Sequence, residues 1–291
     1  MRLSPDLRDL GPSELEAAGG LLYEAFARAA GPRGYLPPWA SAGDATEAVR
    51  AGYAQDREGA IAAEVDGRLV GVGFVRRRGE VATLGPLATA EPKRGVGSTL
   101  LDELISRADG WGCQAIRLYQ DAWNPDSFAL YAGRSFAVVD VVARIERPAG
   151  QAPKRDSSRG LEIAAFRPED LTELMELDLR LTGLERSQDL TALVRLVARR
   201  RGKVVGFLGM TGGLLGPALA LDVADLGGLV ARALVDAGTH ATARLSTAAP
   251  TAMLAALGLG FHVGEVGLVM SRGIQPHARP PQLYSLVPEV L

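Results

Sequence analysis

The chain has almost none of the residues that build disulfide, metal or redox centres. Cys113 is its single cysteine and cannot close an intrachain bridge. It follows Trp111-Gly112 at the end of an amphipathic stretch and reads as a small buried residue. His240, His262 and His277 are scattered without the short spacings of a ligand set, so no metal is expected. Lysine is scarce: Lys93, Lys154 and Lys203 stand among 32 basic residues, against 34 acidic ones, for a formal charge of −2. That balance builds no basic face for nucleic acid or an anionic membrane. No apolar run approaches the ~20 residues that cross a bilayer, and the opening Met1-Arg2-Leu3-Ser4-Pro5 is not a secretory leader. The expectation is a cytoplasmic protein with no metal, no nucleic-acid partner and no membrane partner.

What is present is apolar material in quantity, at 47% of 291 residues, enough for two domains of ordinary size. Residues 148–160, Pro-Ala-Gly-Gln-Ala-Pro-Lys-Arg-Asp-Ser-Ser-Arg-Gly, are polar and rich in breakers and read as a linker. The two sides resemble each other. Gly67-Arg68-Leu69-Val70-Gly71-Val72-Gly73-Phe74 is echoed by Gly202-Lys203-Val204-Val205-Gly206-Phe207-Leu208-Gly209, and Leu84-Gly85-Pro86-Leu87-Ala88 by Leu215-Gly216-Pro217-Ala218-Leu219-Ala220. Residues 127–136 are echoed by 252–261. Short Gly-rich matches in one shared order predict a tandem duplication.

In the first half the pattern predicts a strand over 7–10, helices over 12–28 and 43–56, and a hairpin of 60–65 with 69–76 around Asp66-Gly67. The second half is predicted to repeat this. Its strand is expected over 161–166, its helices over 168–181 and 189–199, and two strands over 204–210 and 214–221. A helix over 228–237, a strand over 242–245 and a helix over 249–257 complete it. The expected boundaries are 1–147, 148–160, 161–272 and a tail, 273–291, draped on the second domain through Leu283, Tyr284, Leu286 and Val287.

The most informative stretch is Pro92-Lys93-Arg94-Gly95-Val96-Gly97-Ser98-Thr99-Leu100-Leu101. An apolar strand, Val81 to Ala88, precedes it, and Leu100, Leu101, Leu104, Ile105 and Ala108 follow at helical spacing. A tight glycine turn opening a helix presents free N–H groups and a positive dipole end, a site for phosphate or pyrophosphate. Lys93 and Arg94 add positive charge. Downstream lie a strand, Ala115 to Tyr119, the segment Asn124-Pro125-Asp126-Ser127-Phe128-Ala129-Leu130-Tyr131, and the apolar run Ala137 to Val142. Pro125 after Asn124 is a cap followed by the first helical position.

This succession resembles the GNAT family of acyl-coenzyme A N-acyltransferases, over about residues 5–147. The family pattern R/Q-x-x-G-x-G/A maps onto Pro92 through Gly97, with Pro92 in place of Arg or Gln. The family's late Gly-Phe stands here as Ser135-Phe136. The resemblance implies an α/β fold of two tandem GNAT-like domains, each a mixed, mostly antiparallel sheet flanked by helices on both faces. It implies acetyl-CoA as cosubstrate, bound by Arg94, Gly95, Val96, Gly97, Ser98 and Thr99 at the pyrophosphate. Leu87, Ala88 and Thr89 would meet the pantetheine arm, on a strand splayed from its neighbour, and Asn124 would also touch that arm. Tyr131, seven positions after Asn124, takes the place of the family's general acid. Its hydroxyl, with an ordinary pKa of about 10, can protonate a leaving thiolate; packing beside Phe128 and Leu130 is the other reading.

For the general base, Glu64, Glu80, Asp121 and a water chain all remain open. The segment Gly31-Pro32-Arg33-Gly34-Tyr35-Leu36-Pro37-Pro38-Trp39 would border the acceptor, with Tyr35 and Trp39 as acceptor contacts or packing anchors.

Aligning the halves at Phe136 and Phe261 sets Ala249 against Asn124 and Ala256 against Tyr131. Aligning the central helices sets Ala224-Asp225-Leu226 against Gly95-Val96-Gly97, and Asp222 and Asp225 would repel a pyrophosphate. The expected activity is therefore transfer of an acetyl group to a primary amine by direct attack in a ternary complex, with one site per chain, in the first half. The second domain is expected to be degenerate. Expected partners are a small-molecule or peptide amine, and the chain is expected to be a monomer or homodimer. The alternative from another class is a non-catalytic acyl-CoA-binding sensor or regulatory module.

Overall fold

The structure is a computed structural model and describes residues 4–150, 160–211, 213–237 and 240–273. The middle of the expected linker, and the tail with its four expected anchors, lie outside the described residues.

The first half runs β1 (Asp6–Asp9), α1 (Leu15–Ala30), α2 (Ala42–Gln55), β2 (Ala60–Val65), β3 (Arg68–Arg78), β4 (Val81–Thr89), α3 (Val96–Gly110), β5 (Ala115–Asp121), α4 (Pro125–Ala132) and β6 (Ala137–Arg147). The second repeats that order as β7 (Glu162–Ala165), α5 (Leu171–Thr182), α6 (Ser187–Leu193), β8 (Val194–Arg200), β9 (Lys203–Thr211), β10 (Leu214–Ala220), α7 (Val223–Ala237), β11 (Ala241–Ser246), α8 (Pro250–Gly258) and β12 (His262–Gly273). The duplication extends to detail. Asp66-Gly67 and Arg201-Gly202 both turn with positive φ, and the Gly85–Pro86 and Gly216–Pro217 peptides are both cis.

Two expectations are corrected. The helix over 189–199 stops at Leu193, and Val194–Arg200 is a strand between β7 and β9. Val194 and Val197 enter one core cluster, Leu196 and Ala198 the other. A strand buried on both faces loses its clean alternation and imitates a helical period. The second half also does not end at its last helix, since β12 follows.

The chain divides into two compact units that interleave along the sequence. Among the described residues the first holds everything up to Leu118, Trp123–Phe136 and the last residues from Arg272; the second holds Tyr119–Ala122 and Ala137–Ser271. Strands β1 to β5 follow one another in chain order in the first, all antiparallel except the β4–β5 pair. In the second the order is β12-β6-β11-β10-β9-β8-β7, with β10–β11 its parallel pair. Thus β6, though it ends at residue 147 with the first half, has both ladder partners, β11 and β12, among later strands.

In the first unit, helices cover both sheet faces because β3 alternates. Val72 and Phe74 pack with Ala18, Leu22 and Val49 of α1 and α2. Gly71 and Gly73 point to α3, where a Cβ would lie 2.7 Å from Leu100 or Leu104. Glycine there lets the helix seat directly on the strand.

Candidate active site

The turn from β4 to α3 is built as the glycine pattern predicts. Gly95 has φ +94 and sits where a helix cap belongs, a left-handed position that a side chain strains to adopt. The Thr99 N–H donates to the Gly95 carbonyl at 3.1 Å, closing the first helical turn. The amides of Val96, Gly97 and Ser98 stand before that bond and have no ladder carbonyl to meet. Thr99 spends its hydroxyl on the same Gly95 carbonyl, at 3.3 Å. Lys93 and Arg94 each lie beside a surface carboxylate, Asp126 at 3.4 Å and Glu91 at 3.0 Å.

The strand before the turn continues past its neighbour. Parallel pairing runs from Val81–Ala115 to Leu84–Leu118, and β4 goes on to Thr89. Gly97 lies over this continuation. A methyl placed on it would meet Thr89 Cγ2 at 3.6 Å, Leu130 Cδ2 at 3.8 Å and Leu87 Cδ2 at 3.9 Å. The turn, the end of β4 and the next helix therefore line one small space. Arg28 of α1 donates to the Thr89 carbonyl at 2.8 Å, a contact with no sequence signal.

Helix α4 is capped as expected: Asn124 Oδ1 accepts the Ser127 N–H at 3.3 Å, ahead of Pro125. Tyr131, on its last turn, is the only buried residue of α4, edge-on to Phe136 with ring centroids 6.0 Å apart. Its hydroxyl has no hydrogen-bond partner among the described residues, and burial pushes its pKa up to about 12. Ser135 takes φ +64, the conformation for which the family uses glycine.

The three carboxylates considered as bases separate. Glu64 is held by Arg8, whose Nε and Nη2 donate at 3.0 and 2.7 Å while the same guanidinium forks onto Glu14. Glu80 precedes β4, so the strand sets it roughly 25–30 Å from Thr89. Asp121 groups with second-unit residues. Burial raises its pKa most, Arg244 and Arg144 lower it, and Glu265 raises it. Arg244 lies over the Tyr119 ring at 4.7 Å.

The loop after α1 docks within the first unit. Trp39 meets Phe26 edge-on, centroids 5.2 Å apart, as a packing anchor. Tyr35 stacks on Trp123 at 5.0 Å and 11°, with Arg33 5.9 Å from the same indole. Nothing in the local sequence pairs Trp123 with Tyr35; its one signal is its place immediately before the Asn124 cap.

Residues 23–136, the span that carries the turn, the cap and the tyrosine, match the model of the acetyltransferase (GNAT) family. This segment is a GNAT domain. No curated protein matches the chain in sequence. Solved structures match it nearly end to end at low identity, which shows the fold. A candidate acetyltransferase from Pyrococcus horikoshii superposes with a TM-score of 0.80 at 16% identity, covering 99% of this chain and 96% of that one. A GCN5-related N-acetyltransferase from Sphaerobacter thermophilus gives 0.66 at 16%, covering 97% and 100%. A tandem GNAT protein from the clavulanic acid biosynthesis pathway gives 0.62 at 13%, covering 94% and 100%. The chain thus has the fold of two GNAT-like domains in tandem.

GNAT enzymes take their acyl group from acetyl-CoA. The first-unit donor set fits its pyrophosphate: three uncommitted amides at the positive end of a 15-residue helix, with a glycine opening toward β4.

The repeat shows the contrast. Leu226 N–H donates to the Asp222 carbonyl at 3.1 Å, as Thr99 does to Gly95, so Asp222 stands opposite Gly95, two residues from the position given by sequence alignment. Asp222 Oδ1 accepts the Ala224 N–H at 2.7 Å, and Asp225, 2% exposed, takes Arg200 Nη2 at 2.6 Å. Carboxylates thus occupy the end of α7 where a phosphate would bind. Ala249 supplies no side-chain cap, and Ala256 lines an apolar cavity with Leu226, Val230, Leu245 and Phe261. Among the described residues no three His, Cys, Asp or Glu are grouped to hold a metal ion, and no helix is long and apolar enough to cross a membrane.

Proposed function

We propose that the protein is an acetyl-CoA-dependent N-acetyltransferase that moves an acetyl group to a primary amine by direct attack in a ternary complex. The site is in the first unit, one per chain. The observation that carries this reading is the set of uncommitted amides at Val96, Gly97 and Ser98, which at Gly97 face Leu87 and Thr89 of β4 and the helix that bears Tyr131 across a small space. The bound cosubstrate supplies an already activated thioester, so binding, orientation and one proton are what the chain must provide.

The amides would hold the pyrophosphate, with Arg94 at the mouth of the turn, the Ser98 hydroxyl in its first helical turn, and Thr99 closing that turn onto the Gly95 carbonyl. Leu87, Ala88 and Thr89 line the arm, with Asn124 at its far side. Tyr131 holds the proton for the departing sulfur. A pKa near 12 keeps that proton on Oη throughout physiological pH. The same dry surroundings make a thiolate more basic, so donor and acceptor are raised together. With Glu64 held by Arg8 and Glu80 at the opposite end of β4 from Thr89, deprotonation of the amine is assigned to a water chain.

Replacement of Tyr131 by Phe is expected to lower kcat about 100-fold with CoA affinity within a factor of two, and calorimetric titration is expected to give one CoA per chain. Unchanged kcat would remove Tyr131 from the reaction, and two equal sites would contradict the carboxylate-filled end of α7. That Glu64 is held by Arg8 and that Glu80 lies at the opposite end of β4 from Thr89 favour one other reading, a non-catalytic acyl-CoA sensor. CoA binding with no free thiol released from acetyl-CoA across a broad amine panel would establish it.

A further inference from the structure

We infer that Arg134 is a positioning residue for the transfer, the brace that fixes the acid's helix against the cofactor's helix. The inference rests on the roles proposed for Tyr131 and for the start of α3.

Helix α4 has only eight residues, too few to be stable alone, so its place depends on what it touches. The acid it carries must reach a sulfur whose position is set by another helix, through the amides at the start of α3. Any slack between α3 and α4 becomes misplacement of Oη relative to that sulfur, and displacements near 1 Å cost about 100-fold in rate. Asn124 caps α4 from within, and Lys93 reaches Asp126 only across an exposed 3.4 Å contact, at the entry end. At the exit end, where Tyr131 lies, the polar tie is Arg134.

Its guanidinium is mostly covered, 22% exposed, and engages both helices. Nε and Nη2 fork onto the two carboxylate oxygens of Asp102 on α3, at 2.5 and 3.0 Å. Nη2 also donates to the Ser98 carbonyl at 3.3 Å, and Nη1 to the Leu130 carbonyl at 3.3 Å. Ser98 contributes one of the uncommitted amides, and Leu130 adjoins Tyr131. One planar group thus spans the anion-binding turn and the residue before the acid. A lysine can form one of these contacts at a time but cannot hold this fork. Asp102 is itself 61% exposed and serves as the anchor on α3.

The test compares wild type, Arg134→Ala, Arg134→Lys, Asp102→Ala, the double alanine variant and Arg232→Ala, an exposed helical ion pair of the second unit as control. Calorimetric titration with CoA and initial rates of thiol release with the wild type's best amine are measured on the full chain. Arg134→Ala is expected to lower kcat about tenfold and raise the CoA dissociation constant three- to fivefold. Its melting temperature should match that of the control within 2 °C. Arg134→Lys should recover part of kcat, and the double variant should be no worse than either single one. The alkaline limb of the kcat profile should stay in place, because the acid is moved and not retuned. A kcat within twofold of wild type in Arg134→Ala overturns the inference while leaving the proposed function intact. A wild type that releases no thiol refutes the proposed function, and the role of Arg134 falls with it. If Arg134→Ala does not fold, Asp102→Ala carries the same kcat expectation and the same refutation.

Discussion

Gly97 separates the needs of the fold from those of the ligand, because one methyl group should push them in opposite directions. Its φ is not positive, so alanine can adopt its backbone without strain. The added carbon would touch Thr89 Cγ2, Leu130 Cδ2 and Leu87 Cδ2 at 3.6 to 3.9 Å, ordinary contact distances that ask nothing of the neighbours. In the first turn of a helix, alanine in place of glycine stabilises by about 0.5–1 kcal/mol, chiefly by restricting the unfolded chain. For a protein of this size that is about 1–3 °C in melting temperature. The same methyl fills the space between the turn and β4 into which the proposed function runs the cosubstrate's arm. Excluding ligand atoms from it should weaken CoA at least tenfold, or about 1.4 kcal/mol. Thermal denaturation without ligand and calorimetric titration with CoA measure both on one preparation. Stability that rises while CoA affinity stays within twofold would show that the ligand does not pass over Gly97. A melting temperature more than 2 °C lower would show that the contacts around it are misjudged. The paired control is Gly95→Ala. At φ +94 that change should cost about 1–2 kcal/mol through backbone strain alone.

Three further outcomes follow from the packing and the charges. In Asp178→Ala, the Arg186 guanidinium, 0% exposed and forked onto Asp178 at 2.7 Å, loses that fork and keeps the charge of Asp189 near it; a loss of about 3 kcal/mol in urea unfolding is expected, and less than 1 would mean that water reaches the site. Ser135→Gly should stabilise by about 0.5–1 kcal/mol by relieving the left-handed φ, and a lower urea midpoint would refute that assignment. Tyr131 keeps its proton to about 12 in the native state but loses it near 10 in the unfolded chain. The unfolded state then binds fewer protons between those values, so stability falls as pH rises from 10 to 12, by about 2–3 kcal/mol from this group. Tyr119, also raised by burial, acts in the same direction, so the comparison of wild type with Tyr131→Phe at pH 9 and 11 isolates Tyr131; parallel losses in the two would refute its raised value.

Several parts of this protein are settled by interactions spanning a few residues, and these the sequence by itself determined. Gly95 can take φ +94 because it has no Cβ, so the turn and the free amides behind it follow from the local pattern. Asn124 with Pro125 starts α4 wherever that helix lies, and Asp66-Gly67 closes its hairpin with two positive φ angles. The absence from the repeat of the cap and of the tyrosine is legible because it is a matter of residue identity: Ala249 has no side-chain acceptor and Ala256 has no hydroxyl. Even β8 left a trace, since Arg201-Gly202 repeats the turn of Asp66-Gly67 and so implies a strand before it as well as after. Its own spacing fits a helix as well, and only pairing with β7 and β9 decides between the two periods.

What only the tertiary structure decided is which distant groups meet. The sequence places β6 last among the elements of its own half, but its ladders run to β11 and β12, because backbone hydrogen bonds carry no record of chain order. Glu64 is an available carboxylate in the local sequence, but Arg8, 56 residues away, holds it in the fold. Asp102 and Arg134 are 32 positions apart and share no motif, yet one fork joins them across α3 and α4. Specific long-range polar contacts of this kind depend on side-chain reach at a given separation. That separation exists only once the apolar faces of the helices and strands have packed.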